Sequence, residues 1–297
     1  VYKRQAVGSR RMTHEMRDKT VLVTGASAGI GLAAAAALAR MGAHVLMASR
    51  NRERGETAVR SVSQEVPEAR LNLLLADLSR PEGVRALADQ VLDVADRLDV
   101  LVNNAGVYTR RRESTADGFE LQFAVNHLAP FLLTHLLRER LEASAPARIV
   151  TVSSEAHRRG RIDFDDIQGD VAYSGLGAYT QSKLANLLFN RELARRLAGT
   201  GVTANAVHPG VVATRLLFEG FAPLRLLKPF LKTPEQGART IVQVASAPAL
   251  ERLTGLYFID GESARPSARA RDDDAARRLW DLSARLTGIE TTENRTS

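Results

Sequence analysis

The sequence predicts an α/β fold: one doubly wound parallel sheet of about seven strands with helices on both faces. Two observations predict it. Short apolar runs alternate with helix-length segments from residue 20 to about residue 260, and the runs are near-continuously apolar, as buried parallel strands are. A glycine-rich turn also joins the first run to an alanine-rich helical segment, the order found where a strand–turn–helix unit opens such a sheet.

Strands are expected at 21–24, 44–49, 71–76, 100–103, 149–153, 203–207 and 256–259. The Ala33–Ala37 run that follows the first strand has small side chains, so its helix can lie close against the sheet. Near the end, 263–271 reads as a polar, proline-containing linker. Asp272, Asp273 and Asp274 then open a helix through Leu286, their charges at the positive end of its dipole, with Gly288 as the stop. These signals divide the chain into an extension over 1–18, expected to be disordered, a catalytic domain over 19–262, and a C-terminal linker and helix over 263–297. Before Glu15 the extension carries four basic residues and no acid, and it is left out of the fold.

With 297 residues, 44% hydrophobic and 25% charged, the chain has the composition of a soluble globular protein. It contains no cysteine, which excludes disulfides, thiolate metal sites and a cysteine nucleophile and suits a reducing cytoplasm. No metal site is expected, because the histidines show no ligand spacing. No uninterrupted apolar run is long enough for a bilayer; the richest, over 29–39, is mostly alanine and meets Arg40. The net charge of +7 raises nucleic-acid binding, but the arginines are scattered, tyrosines number five and tryptophans one, and no recognition motif is present. A solvated basic surface is the simpler account.

The turn after the first strand is Thr24-Gly25-Ala26-Ser27-Ala28-Gly29-Ile30-Gly31. Glycines there permit a tight turn and close backbone approach to a pyrophosphate, which the N-terminus of the next helix binds, so a Rossmann-type dinucleotide site is expected. At the end of the second strand an NAD site needs a carboxylate for the ribose 2′-hydroxyl. This chain has Ser49-Arg50-Asn51-Arg52 instead. A guanidinium grips a 2′-phosphate with paired hydrogen bonds, so NADP(H) is expected over NAD(H), with Arg50 as the reader and Ser49 assisting. A solvated arginine is the competing account of Arg50.

Tyr179 and Lys183 stand one helical turn apart in Tyr179-Thr180-Gln181-Ser182-Lys183. A phenol has an ordinary pKa of about 10, and an adjacent ammonium favours its phenolate, so the pair can exchange a proton with a substrate oxygen.

Taken with Asn103-Asn104-Ala105-Gly106 and Pro209-Gly210 after the sixth strand, these motifs resemble the short-chain dehydrogenase/reductase family over nearly all of residues 19–261. The resemblance implies a catalytic set of Asn126, Ser154, Tyr179 and Lys183. Ser153 is the rival for the serine role. By the same likeness the cofactor is bound by Gly25, Ser27, Gly29, Ile30, Gly31, Asp77, Leu78, Asn104, Ala105, Gly106, Pro209, Gly210, Val212 and Thr214, together with Tyr179 and Lys183. Asp77 is the adenine-contacting acid, Thr214 reaches the nicotinamide carboxamide, Lys183 holds the nicotinamide ribose, and Asn126 supports Lys183 through water.

Within the family, Asp117-Gly118-Phe119-Glu120, Asn126–Thr134, Ser182–Asn186, His208–Val212 and Arg277-Arg278-Leu279-Trp280 resemble the retinol-dehydrogenase-like branch. This implies an apolar carbonyl or alcohol substrate of the retinal-like, aliphatic or aromatic aldehyde or ketone class. The alternative is a catalytically idle NADP(H)-sensing module. The apolar and basic stretch within 211–235 lies where the family carries a substrate lid; a basic amphipathic segment of this kind also suits a membrane surface. Arg110, Arg111 and Arg112, and then Arg158, Arg159 and Arg161, fall in loops expected near the mouth. They suggest either steering of an anionic substrate or plain surface charge. A homodimer through helices near 119–140 and 179–197 is expected by analogy.

Overall fold

A computed structural model of the chain describes residues 15–213 and 231–289. Its sheet has eight strands: β1 (Thr20–Thr24), β2 (His44–Ser49), β3 (Arg70–Leu75), β4 (Val100–Asn103), β5 (Ala147–Val152), β6 (Val202–His208), β7 (Tyr257–Ile259) and β8 (Glu262–Ser263). They lie in the order β3-β2-β1-β4-β5-β6-β7-β8, parallel except for the β7–β8 pair. The seven expected strands are present within a residue or two of their expected ends. The eighth has only two residues, too short for any periodicity to announce.

Side chains of successive strand residues point to opposite faces, so each apolar run supplies two cores. Leu22, Leu46, Leu101 and Ile149 face one layer, with α3 (Pro81–Val94), α5 (Ala129–Leu136) and α7 (Gly175–Arg196) packed there. Val21, Val23, Val45, Met47, Val100, Val102 and Val150 face the other, against α1 (Gly29–Arg40) and α8 (Pro234–Ser246). Ala34, Ala35 and Leu38 of α1 are fully buried in that layer, as the alanine run requires.

Two domain boundaries differ from those read in the sequence. Met16, placed in the extension, is 4% exposed, belongs to the α1 layer, and its N–H donates to the Met41 carbonyl. The fold therefore starts before Lys19. The C-terminal helix α9 (Asp273–Thr287) is equally part of the core. Trp280 packs on Phe131 and Phe189 with ring centroids 4.9 and 5.9 Å away, and the Arg196 guanidinium sits 4.5 Å from its ring. Ser283 meets His127 at 2.8 Å. No described helix is long and apolar enough to cross a membrane. Thr214 and most of the lid expected over 211–235 lie outside the described residues.

β1 is flanked by β2 and β4, so the chain leaves β1 toward one edge and returns at β4 toward the other. Loops diverge above the carboxyl ends of these two strands, which opens a crevice there.

Candidate active site

The crevice is a cavity of about 800 Å³. Its floor is the glycine turn after β1. Gly25 and Gly29 have φ of +66° and +56°, a region that favours glycine. A Cβ on Gly31 would stand 2.3 Å from the Gly25 carbonyl oxygen. Thr24 and Asn104 lock the turn to the end of β4. The Thr24 hydroxyl accepts from the N–H groups of Asn104 and Ala105 at 2.9 and 3.0 Å, while the Asn104 amide donates to the Thr24 carbonyl at 2.8 Å. Helix α1 begins without a side-chain cap or an acid in its first turn. Its N-terminal N–H groups and dipole thus face the cavity floor without an internal anion, a cradle that suits a pyrophosphate.

Along the β2 and β3 ends, Ser49, Arg50, Asp77 and Leu78 all line the cavity. Ser49 differs from its expected role. It is 4% exposed and its hydroxyl donates to the Asn51 carbonyl at 3.0 Å, so it shapes the turn and has no proton left for a phosphate. Asn51 in turn caps α2 (Arg52–Glu65) by accepting the Arg54 N–H at 2.9 Å. Arg54 also lines the cavity, which places two guanidinium-bearing residues, Arg50 and Arg54, on this wall. Arg54 was missed in the sequence; its signal was its position four residues after Arg50. Asp77 accepts from the N–H and hydroxyl of Ser79 at 3.0 and 2.8 Å, which fixes its carboxylate.

The opposite wall carries Ser154, Tyr179 and Lys183. Ser154 follows β5 and caps the 3₁₀ turn Glu155–Arg159, its hydroxyl accepting the Ala156 N–H at 3.1 Å, and it lies close enough to Tyr179 to pull the phenol pKa down. Ser153 also lines the cavity, but it is 2% exposed and donates to the Lys183 carbonyl at 2.7 Å, so its hydroxyl proton is engaged in anchoring α7. Lys183 is 3% exposed; its Nζ donates to the Val152 carbonyl at 3.2 Å and lies 5.7 Å from the Tyr179 ring centroid. Burial pushes Tyr179 up to about 12, against a downward pull from Ser154, and pushes Lys183 down to about 8. In the resting site burial thus outweighs the pull of Lys183 on the phenol. The ammonium sits over the ring, and desolvation opposes charge on both groups.

Asn126 does not line the cavity. It is fully buried in a widened helical turn, Ala124–Leu128, between α4 (Leu121–Phe123) and α5. Such π turns recur at functional sites. Its amide donates to the Val107 carbonyl and Ser182 hydroxyl, both at 3.0 Å, and its oxygen accepts the Val107 N–H at 2.7 Å. A Cβ on Gly106 would come 3.3 Å from the Asn126 oxygen and 3.6 Å from the Lys183 Nζ. Gly106 therefore keeps open the space between the two. Pro209, Gly210 and Val212 close the far rim, with Val212 bridged to Lys232.

The other expected cofactor residues, Ser27, Ile30, Ala105 and Gly106, also line the cavity. Tyr108 lines it too, with its ring 5.7 Å from Tyr179, edge to face. Of the arginine-rich loops, Arg158 and Arg159 reach the cavity. Arg112 instead bonds Gln168, Ser114 and Asp170 within its own surface. Among the described residues no cluster of three or more His, Asp or Glu side chains is placed to hold a metal ion.

Comparison with known proteins matches residues 19–223 to the short chain dehydrogenase model. Retinol dehydrogenase 12 of Bos taurus is 47% identical, with 96% of this chain and 91% of that protein covered. Human retinol dehydrogenase 14 is 44% identical, with 92% and 88% covered. Among solved structures, an uncharacterised protein from Mycobacterium paratuberculosis superposes with a TM-score of 0.77 at 38% identity, covering 92% of this chain and 94% of that one. A protein from Escherichia coli CFT073, described as a short chain dehydrogenase and solved with NADPH, gives 0.71 at 26% identity, with 84% and 99% covered.

Proposed function

The chain belongs to the short-chain dehydrogenase family, in its retinol-dehydrogenase-like branch, and we propose that it moves hydride between NADP(H) and the carbonyl or alcohol group of an apolar small molecule. One observation carries this reading: Ser154, Tyr179 and Lys183 converge on the same cavity as an uncapped, glycine-lined helix start. The nicotinamide, when bound, supplies or accepts the hydride. Everything else falls to the chain's own side chains.

Tyr179, held near 12, keeps its proton at neutral pH and can pass it to the carbonyl oxygen during reduction. Ser154 donates to the same oxygen, where negative charge develops. Lys183 is predominantly charged below about pH 8 and lies close enough to stabilise the tyrosine as its proton leaves. The cavity that holds Tyr179 is also lined by Val107, Tyr108, Leu176 and Val211, apolar or aromatic side chains that suit the hydrophobic substrate class named for the retinol dehydrogenases. Arg50, with Arg54 beside it and no carboxylate at the β2 end, favours a 2′-phosphate.

The test is consumption of reduced cofactor over a panel of apolar aldehydes, ketones and retinal. NADPH should give a kcat/KM at least about tenfold above NADH, roughly 1.4 kcal/mol, and Arg50→Asp should erase or reverse that ratio. A wild-type preference for NADH would contradict the cofactor assignment.

A further inference from the structure

The turn Glu155–Arg159 starts directly at Ser154, and Glu155, Arg158 and Arg159 all line the cavity. The turn is held firmly. His157 points inward, fully buried, with one ring nitrogen 2.7 Å from the Ser154 carbonyl and the other accepting the Ser267 N–H at 3.1 Å. Two of the charges beside it are already matched. Glu155 accepts from Arg158 at 2.6 Å and from the Tyr257 hydroxyl at 3.0 Å. Burial works against its charge, but these donors win and hold Glu155 below the usual carboxylate range. Arg158 also donates through Nη2 to the Arg265 carbonyl at 3.1 Å, so its charge is paired and its head is held by two partners.

Arg159 is different. It is exposed, lines the same cavity, and among the described residues has no hydrogen bond or ion pair. It stands five residues beyond Ser154, which at about 2 Å per residue in a 3₁₀ turn is on the order of 10 Å from the reacting centre. It is not placed to read the nucleotide ribose. β1 and β4 lie between β2 and β5, which separates the two strand ends by about 14 Å. The cavity also offers apolar surface that is partly open to solvent, with Leu176 36% and Val211 53% exposed. One cavity lined by a proton donor, apolar side chains and the unmatched Arg159 guanidinium fits an amphiphile that carries a charge away from its reacting group. With the Glu155 carboxylate nearby, a monoanion is repelled less than a dianion.

We propose that the natural substrate is an apolar carbonyl or alcohol compound that carries a carboxylate about 8–12 Å along its chain from the reacting group, and that Arg159 binds this carboxylate. The proposal rests on the hydride-transfer reading above and names its substrate class.

A series of ω-oxo carboxylic acids of increasing chain length, each paired with its methyl ester, tests it with NADPH as reductant. The acid should exceed its ester in kcat/KM by about three- to tenfold, the scale of a solvent-accessible charge pair. The advantage should peak at one chain length, shrink with added salt, fall to about one in Arg159→Gln and invert in Arg159→Glu. Esters and acids turned over alike by the wild type, or a ratio unchanged in Arg159→Gln, would overturn it. If neither NADPH nor NADH supports turnover of any pair, the hydride-transfer reading fails. Calorimetric binding of the acids then decides the carboxylate site: tighter binding to wild type than to Arg159→Gln upholds it, and equal binding overturns it.

Discussion

Lys183 bears its charge in a place that resists it. Burial lowers it to about 8 from an ordinary 10.5, and the same burial raises Tyr179 to about 12. Between pH 8 and 10.5 the unfolded chain binds the lysine proton that the folded chain has released, so folding stability rises with pH across that window. Below pH 8 both states hold the proton and the full penalty remains. Lys183→Met removes this dependence. The unfolding free energy of wild type relative to that variant should therefore increase by roughly 2–3 kcal/mol from pH 7.5 to 10.5, read from urea titrations at each pH. A flat difference would mean that folding leaves the Lys183 pKa at its ordinary value and that burial does not oppose its charge. The serine pair also belongs to this scale. Adjacent residues at a strand end point to opposite sides, so Ser153 and Ser154 could not be told apart by composition. Their partners separate them: the Lys183 carbonyl for one, Tyr179 for the other.

At the scale of elements, the glycine turn and α1 form one device. Gly31 lies so close to the Gly25 carbonyl that any side chain must push the turn out of place. Gly31→Ala should raise the dissociation constant for NADPH by at least about tenfold, ~1.4 kcal/mol, measured by cofactor fluorescence, with circular dichroism showing the fold retained. Unchanged affinity would place the pyrophosphate elsewhere. This part of the site was legible in the sequence because its signals are local: glycines at fixed spacing after a strand, Asn103–Gly106 at another strand end, and Tyr179 with Lys183 one turn apart. Tyr108 was not legible, since it reaches the cavity by the path of its backbone and belongs to no local pattern, and Arg54 was signalled only by its place four residues after Arg50. Nor was the widened turn that holds Asn126, whose amide bonds are made with residues 19 and 56 positions away.

Across the whole molecule, the first and last described segments are built into the core. Met16 fills the α1 layer, and α9 lies on α7 with Trp280 against Phe131 and Phe189. The sequence placed both outside the main domain because the contacts that bind them join distant positions; His127 and Ser283 are 156 residues apart. Trp280→Ala should cost about 3–5 kcal/mol of unfolding free energy, and Tm should fall in a single transition. A loss under about 1 kcal/mol would make α9 the appendage that its linker suggested. The strand order does the rest. It sets the glycine turn above β1, the Arg50 wall above β2 and Ser154 above β5, so all three line one crevice.

Single-turnover reduction of an apolar aldehyde by bound NADPH, followed by loss of absorbance in wild type and Tyr179→Phe, bears most directly on the reading of the site. With cofactor affinity equal in the two proteins, the hydride-transfer rate should fall by about 10²-fold or more when the hydroxyl is removed. A variant that transfers hydride at the wild-type rate would show that the proton comes from another group and that the cavity is not the catalytic centre described.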